Sequence, residues 1–349
     1  SDSLVRVVTA GGGDDHSIII CSTQPFNSLR RITTATSIHT LAVFTPPDNP
    51  LCPEIVANFD RGYLSVWELK TGEKIRSMEA EGAHSGEILS LAMYAPSNGS
   101  SPAMVVTGGD DVVAMIWNYK TGDKVHALEG GHGQDITSVA VFSPQGTGER
   151  PLLVTGSHDE VCIVWDIQTG RKVRTLHGSE DSILGLAVYT PTEETEVDLS
   201  EGLVIAANES GKVLVWEIHS GDQVPTFAAA EGVKALAIFV HHADDGTHKP
   251  MLVCGTETGK VSVFDLQSRQ EVRAFNSHSS GVTCVAALPL HRASDNCVLI
   301  ATGRWDNSII IHSFPSGEVV STFSQHKDTV RSIAMHAPDE ETGEASHPR

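Results

Sequence analysis

The chain has 349 residues, 40% of them hydrophobic but only 5% aromatic, so its core is drawn mostly from Val, Ile, Leu and Ala, a supply that suits short strands. With 24 basic and 44 acidic residues the net charge is −20, a field that repels phosphate backbones and anionic surfaces and argues against nucleic acid and membrane as partners. Six Cys (Cys21, Cys52, Cys162, Cys254, Cys284 and Cys297) are scattered with no Cys-x-x-Cys pair, and no apolar stretch approaches a membrane span, which reads as a reduced, intracellular chain, cytoplasmic by expectation.

The first run, Val5-Arg6-Val7-Val8, reads as a strand, followed by a second at Ser17 to Ser22 and a third near Leu29 to Ile32. From there one phrase recurs: an apolar run, a Gly or Asp turn, a second apolar run closed by a bulky residue, then a Gly turn. Its fixed points are Cys21, Trp67, Trp117, Trp165, Trp216, Phe264 and His312, spaced 46, 50, 48, 51, 48 and 48 residues apart. In the unit around Trp117, Met104 to Thr107 is followed by a turn at Gly108-Gly109-Asp110-Asp111. Val112 to Trp117 comes next, then a turn at Thr121-Gly122-Asp123 and an alternating Lys124 to Leu128. Short runs joined by hairpin-type turns predict an antiparallel meander, with the next unit opening at Ile136 to Phe142. We letter the four strands of a unit a to d. The c–d turns carry Gly72, Gly122, Gly170, Gly221 and Gly317, but Gln267-Ser268-Arg269 lacks the Gly and is expected to turn differently. The last run, Thr329 to Met335, reads as a strand a without its b, c and d, while the first three runs lack their a. Joining them closes seven units and removes the open edges.

The segment Thr155-Gly156-Ser157-His158-Asp159 through Ile163-Val164-Trp165-Asp166 resembles the WD-repeat β-propeller family. It is matched by Thr107-Gly108-Gly109-Asp110-Asp111 through Ile116-Trp117, and by Val215-Trp216-Glu217. The resemblance covers essentially the whole chain. It implies an all-β fold: one seven-bladed propeller of four-stranded antiparallel blades over 1–349. The closing blade takes 329–336 plus 4–34, and the others about 37–80, 87–129, 135–177, 182–228, 233–276 and 281–324. It also implies a buried polar set in each blade, which joins a His before strand a, a Ser or Thr on strand b, an Asp in the b–c turn and the Trp closing strand c. Two blades keep all four: His84, Thr107, Asp111 and Trp117; and His132, Thr155, Asp159 and Trp165. A third keeps His278, Thr302 and Asp306, with His312 in place of the Trp. A fourth keeps His326 and Asp15 and ends on Cys21. The other three show Thr34, Ser179 and Ala229 at the His position and Arg61, Ser210 and Thr258 at the Asp position. The same residue types compose a hydrolase triad, but a set that recurs in several units is what a repeat predicts and a single active site does not. No Gly-x-Ser-x-Gly elbow accompanies it.

Function, on this reading, is non-catalytic: a scaffold that binds proteins or peptides through its loop faces, monomeric as a domain, without cofactor or metal, inside a larger assembly. The start at Ser1-Asp2-Ser3 reads as a processed or excised piece. The alternatives are a passive structural domain of a longer catalytic or signalling protein, and a propeller enzyme whose central channel would need carboxylates, His or metal ligands converging from several blades. On the face made by the d–a and b–c loops, called the top, Arg304-Trp305 combines two residue types enriched at interface hot spots. Trp305 and Arg304 are the expected centre of a partner site, with His16, Arg61 and His158 in other b–c turns. On the opposite face the a–b loops are long and polar, among them His241 to Pro250 and Pro289 to Asn296. The His241-His242-Ala243-Asp244-Asp245 stretch with His248 has metal-ligand residue types but reads as a loose insertion, and Thr192 to Ser200 reads as a solvated acidic loop.

Overall fold

The computed structural model describes residues 5–23, 26–59, 62–79, 81–96, 102–144, 150–191, 202–227, 232–243, 246–275, 280–292 and 295–337. They form seven sheets of four antiparallel strands each. The burial patterns follow from the sequence of each strand. Strands b and c are near-continuous apolar runs covered on both faces, as in Leu152–Ser157 and Cys162–Asp166. Strand d is the outer, mostly exposed strand and buries its last residue, as in Lys172–Leu176; Lys124–Leu128 also alternates with period two.

We number the blades 1 to 6 in chain order from Leu41, with the closing blade as the seventh. In blade 7, Val330–His336 pairs with Arg6–Gly11, which continues into Ser17–Thr23 and Phe26–Thr33. The strand from one end of the chain thus supplies strand a for the three strands from the other. Strands a of consecutive blades contact one another all the way round and so surround the axis. The result is a seven-bladed β-propeller.

The core lies between blades rather than within them. The cluster around Trp117, for example, joins Val56, Leu64 and Val66 of blade 1 to Leu91, Val105 and Met115 of blade 2. Burying one such side chain is worth about 1.5–3 kcal/mol, and that gain exists only when the neighbouring blade is in place. Among the described residues, no helix is long and apolar enough to cross a membrane.

Three connections differ from the sequence reading. The c–d turn of blade 5 keeps the common geometry: Arg269 has φ 59° and its N–H donates to the Asp265 carbonyl at 2.8 Å, as Gly221 N–H does to Glu217 at 2.9 Å. The a–b connections of blades 5 and 6 are hairpins, not loops. Val233–His242 runs against His248–Thr256, and Val282–Arg292 against Asp295–Arg304, which closes each ladder at its tip.

Every b–c turn contains a left-handed residue directly after the Asp position, and the longer turn of the closing blade adds a second, Gly13. In the four blades that carry the turn Asp, the residue after it is His16 (φ 43°), Val112 (60°), Glu160 (70°) or Asn307 (68°). In the three that do not it is Gly62, Gly211 or Gly259. The carboxylate explains the division. Asp111, Asp159 and Asp306 each accept the N–H two residues on, at 3.3, 3.3 and 3.2 Å, which holds a strained residue in place. Without it only Gly is tolerated. A β-branched residue is the worst fit to this region. Val112→Gly is expected to raise the unfolding free energy by up to about 1 kcal/mol, the left-handed penalty less the added chain entropy, read from the urea midpoint. A lower midpoint would show that the Asp111 bond fully offsets the strain.

Candidate interaction face and the buried polar sets

The polar sets can be built atom by atom. In blade 2 the carboxylate of Asp111 lies 2.9 and 3.0 Å from His84 Nδ1, so that nitrogen carries the proton, because a carboxylate only accepts. In the neutral ring Nε2 then accepts from the Thr107 hydroxyl at 2.8 Å, and Thr107 in turn accepts the Trp117 indole N–H at 2.9 Å. The four groups form one directed chain from Trp to Thr to His to Asp. Blade 3 repeats it with His132 Nδ1 3.0 Å from Asp159, Nε2 2.7 Å from Thr155, and Trp165 N–H donating to Thr155 at 2.9 Å. Burial pushes the Asp111 carboxyl up, but the His84 partner and the backbone N–H groups of Ser85 and Val113 outweigh it, and the group sits below the usual range. Burial lowers His132 against the pull of Asp159, in keeping with a neutral ring. Thr107 and Thr155 are fully buried, so neither hydroxyl is open to a substrate.

Blade 7 holds a set across the ring closure: His326 Nδ1 bonds Asp15, and Nε2 lies 2.8 Å from Thr9. Sequence reasoning missed Thr9, and also Arg31, whose guanidinium reaches Asp15 at 3.1 Å. Blades 1, 4 and 5 lose the His, the hydroxyl and the Asp together, while blades 1 and 4 keep the Trp as Trp67 and Trp216. By strand pairing, the place of Thr107 is taken there by Ala57, Ala206 and Cys254. Dropping the three at once leaves no imidazole or carboxylate buried without its partners, and only the indole N–H needs another acceptor. Blade 4 substitutes Asn208, whose Nδ2 donates to the Ser179 carbonyl at 2.9 Å, and Trp216 N–H goes to the His177 carbonyl at 3.2 Å.

Blade 6 departs from the expected set. His278 lies outside the described residues, and Asp306 is held by Arg304 Nη2 at 2.7 Å and by the Ser308 hydroxyl at 2.6 Å. The pairing of strand b with strand c puts Arg304 at the position of Gly109 and Gly11. A Cβ there would lie 2.8 Å from His84 Nδ1 in blade 2 and 2.7 Å from His326 Nδ1 in blade 7. Arg304 thus grows into the space that a His–Asp pair fills elsewhere. It is 5% exposed and does not face a partner directly, which separates its role from that of Trp305, 63% exposed. Burial also decides the state of His312, which stands where the Trp closes strand c in other blades. It is 1% exposed, stacks on Phe275 at 4.6 Å, and is lowered to about 4.

Trp305 belongs to a ring of equivalent positions. In six blades the first residue of the b–c turn donates its N–H to the carbonyl of the residue before strand a. These are Gly12 (2.8 Å), Asp110 (3.1 Å), His158 (3.1 Å), Glu209 (2.9 Å), Glu257 (2.9 Å) and Trp305 (3.3 Å). Trp305 is the large aromatic among small, acidic and imidazole side chains. Of the other expected contacts, His16 lies in the adjacent blade 7, His158 lies three blades away in blade 3, and Arg61 falls outside the described residues. One patch around Trp305 cannot include His158, because consecutive repeats occupy consecutive places on the ring. At the inner mouth, Arg331 Nη1 donates to His39 Nδ1 at 3.1 Å, and His39 Nε2 lies 3.4 Å from Glu87, linking blades 7, 1 and 2. Lys234 pairs with Glu257 at 2.6 Å. These links join residues up to 292 positions apart and had no sequence signal.

In the blade 5 hairpin the rings of His242 and His248 stand 4.4 Å apart, but among the described residues no group of three His, Cys, Asp or Glu is placed to hold a metal. Asp244 and Asp245, like the acidic stretch after Pro191, lie outside those residues.

The family model for "WD domain, G-beta repeat" matches residues 122–166 and 269–313. The methylosome protein WDR77 of Xenopus laevis is 36% identical over 115 residues, which are 31% of this chain and 32% of that protein. The U3 small nucleolar RNA-associated protein 15 homolog of Gallus gallus is 29% identical over 127 residues, 36% of this chain and 22% of that one. The matches thus span about a third or less of these curated relatives. The structure of U3-55K superposes with a TM-score of 0.65 at 19% identity over 87% of this chain and 86% of that one, a likeness of fold. The two matched repeats, the WD-repeat relatives and seven four-stranded blades in a closed ring together support a WD-repeat β-propeller.

Proposed function

We propose that the protein is a non-catalytic, intracellular scaffold that binds protein or peptide partners at the rim of its top face, with Trp305 as the anchor, as one component of a multiprotein assembly. The observation that carries this reading is the contrast within one turn. Arg304, itself buried, holds Asp306 at 2.7 Å, while Trp305 between them is 63% exposed. A rigid turn that holds a large aromatic in water has the makings of a hot spot, since little entropy is left to lose on binding. The relatives support an assembly role: one is named as a methylosome protein and another as a small nucleolar RNA-associated protein.

Trp305→Ala removes no buried contact of its blade, so the variant is expected to keep its unfolding midpoint. It should lose at least about 30-fold in affinity for at least one protein recovered with the wild-type chain, the loss typical of a hot spot. Recovery with and without ribonuclease checks the chemistry of the partner. A folded variant that retains every protein partner would overturn the assignment, and so would capture that depends on RNA.

A further inference from the structure

Strand d of each blade has an equivalent position two residues beyond the one that pairs with the end of strand c. It holds Arg30, Arg76, His126, Arg174, Pro225, Arg273 and Ser321 in blades 7, 1, 2, 3, 4, 5 and 6. Five of these side chains are basic, and each reaches the c–d turn of the following blade. Arg76 donates to the Tyr119 carbonyl at 2.7 Å, His126 Nε2 to Gln168 at 3.0 Å, and Arg273 to the Ser316 carbonyl. Arg30 and Arg174 lie over the turn itself: a Cβ on Gly72 would sit 2.6 Å from Arg30 Cδ, and one on Gly221 2.9 Å from Arg174 Nη1. The same crowding occurs at Gly170 beneath His126 and at Gly317 beneath Arg273. At these four turns the glycine serves twice: it adopts the left-handed backbone and leaves room for the neighbour's latch, whereas at Gly122 a Cβ would meet only Met78, at 3.6 Å.

The seam between blades 4 and 5 breaks both halves of this arrangement. Pro225 has no side chain that can donate, and the turn it faces carries Arg269 at φ 59° where blades 1, 2, 3, 4 and 6 have Gly. Position 225 supplies no latch, so the turn can hold a Cβ. Pro225 also lacks an N–H, and the register shift in its ladder falls between Val213 and Val215, one residue earlier than in blade 2. Blades 4 and 5 are moreover two of the three without a His–Asp pair. What remains across this seam is the apolar cluster of Leu203, Ile205, Val215, Phe227, Leu252 and Phe264. For the seam between blades 6 and 7 the facing turn lies outside the described residues.

We propose that the outer rim between blades 4 and 5 is a built-in opening point of the ring. Strand d of blade 4, Gln223–Phe227, parts from the c–d turn at 266–270 more readily than the corresponding pieces at the latched seams, while strands a stay in place. Local opening of this kind is read by amide hydrogen exchange. In the intact chain, amides of 223–227 and 266–270 should exchange about three- to tenfold faster than those of 74–78 and 118–122, the factor carried by one hydrogen bond at a partly exposed site. Pro225→Arg combined with Arg269→Gly, which clears the room a latch needs, should slow exchange at the blade 4–5 seam, and Arg273→Ala should speed it at the blade 5–6 seam by a similar factor. If the double variant fails to fold, the wild-type comparison and Arg273→Ala carry the test. Equal protection at the latched and unlatched seams in the wild-type chain, or no local response to Arg273→Ala, would overturn the proposal.

Discussion

Replacing His312 by Phe is expected to flatten the acid side of the stability profile. Burial lowers His312 to about 4, against about 6.5 in an unfolded chain. As pH falls, the unfolded chain takes up the proton first, so stability that is complete above about 6.5 is lost on the way down to about 4. Linkage puts the loss at about 2–3 kcal/mol by pH 4.5. Phe keeps an aromatic ring against Phe275, and Phe264, at the same position in blade 5, lies tilted against Phe227 at 5.6 Å. The stability difference between His312→Phe and wild type should therefore move in favour of the variant by about 2–3 kcal/mol between pH 7 and pH 4.5, measured from urea midpoints. His132 and His326 are also lowered by burial and will still slope the curve of the variant in the same direction. The carboxyls of Asp15, Asp111 and Asp159 lie below their usual value, so their contribution is lost in a separate window, below about 4. Parallel curves for variant and wild type would show that His312 finds a compensating partner when protonated.

The second large effect is expected at Thr107. Valine has nearly the shape of threonine, so Thr107→Val removes the hydroxyl and little else. It strands the indole N–H of Trp117 and Nε2 of His84, both buried. At about 1–3 kcal/mol for each unsatisfied group, the cost is about 2–5 kcal/mol. Thr107→Ser keeps the hydroxyl and loses one methyl, at about 1 kcal/mol. Urea denaturation at pH 7 separates the two. Valine costing no more than serine would mean that water or a shifted rotamer replaces the hydroxyl, and that the directed chain is not what holds the turn. Ala57, Ala206 and Cys254 already stand at this position in the blades without the pair, which shows that the hydroxyl is needed only where a His and an Asp are there to be satisfied.

Much of the fold was legible before any coordinate. Strand d of blade 2 could be read from its alternation, and the b–c turns from Gly and Asp, because both depend on neighbours a few residues away. The errors share one cause. Arg269 was expected to break the turn pattern because Gly was taken as a requirement of the backbone alone. In the ring it is also a requirement of the preceding blade, and Pro225 lifts it. Arg304 and Trp305 are adjacent in the chain, but Arg304 ends strand b inside the blade and Trp305 opens the turn, so one is buried while its neighbour is in water. His158 was grouped with them because all the b–c turns share a face, although three blades separate it from Trp305.

The sequence by itself determined the architecture: seven units, four strands in each, and a closing blade made from both ends. A period near 50 residues and local turn chemistry are properties of the chain alone, and stacked units can bury their apolar faces in one way. Only the tertiary structure decided which polar groups meet. The Arg331–His39–Glu87 link, the places of Thr9 and Arg31 beside His326 and Asp15, the reach of the strand d side chains to the next blade's turn, and the burial of Arg304 have no signal in the period. They exist because closing the ring brings those side chains within hydrogen-bond distance and removes the water that would otherwise satisfy them.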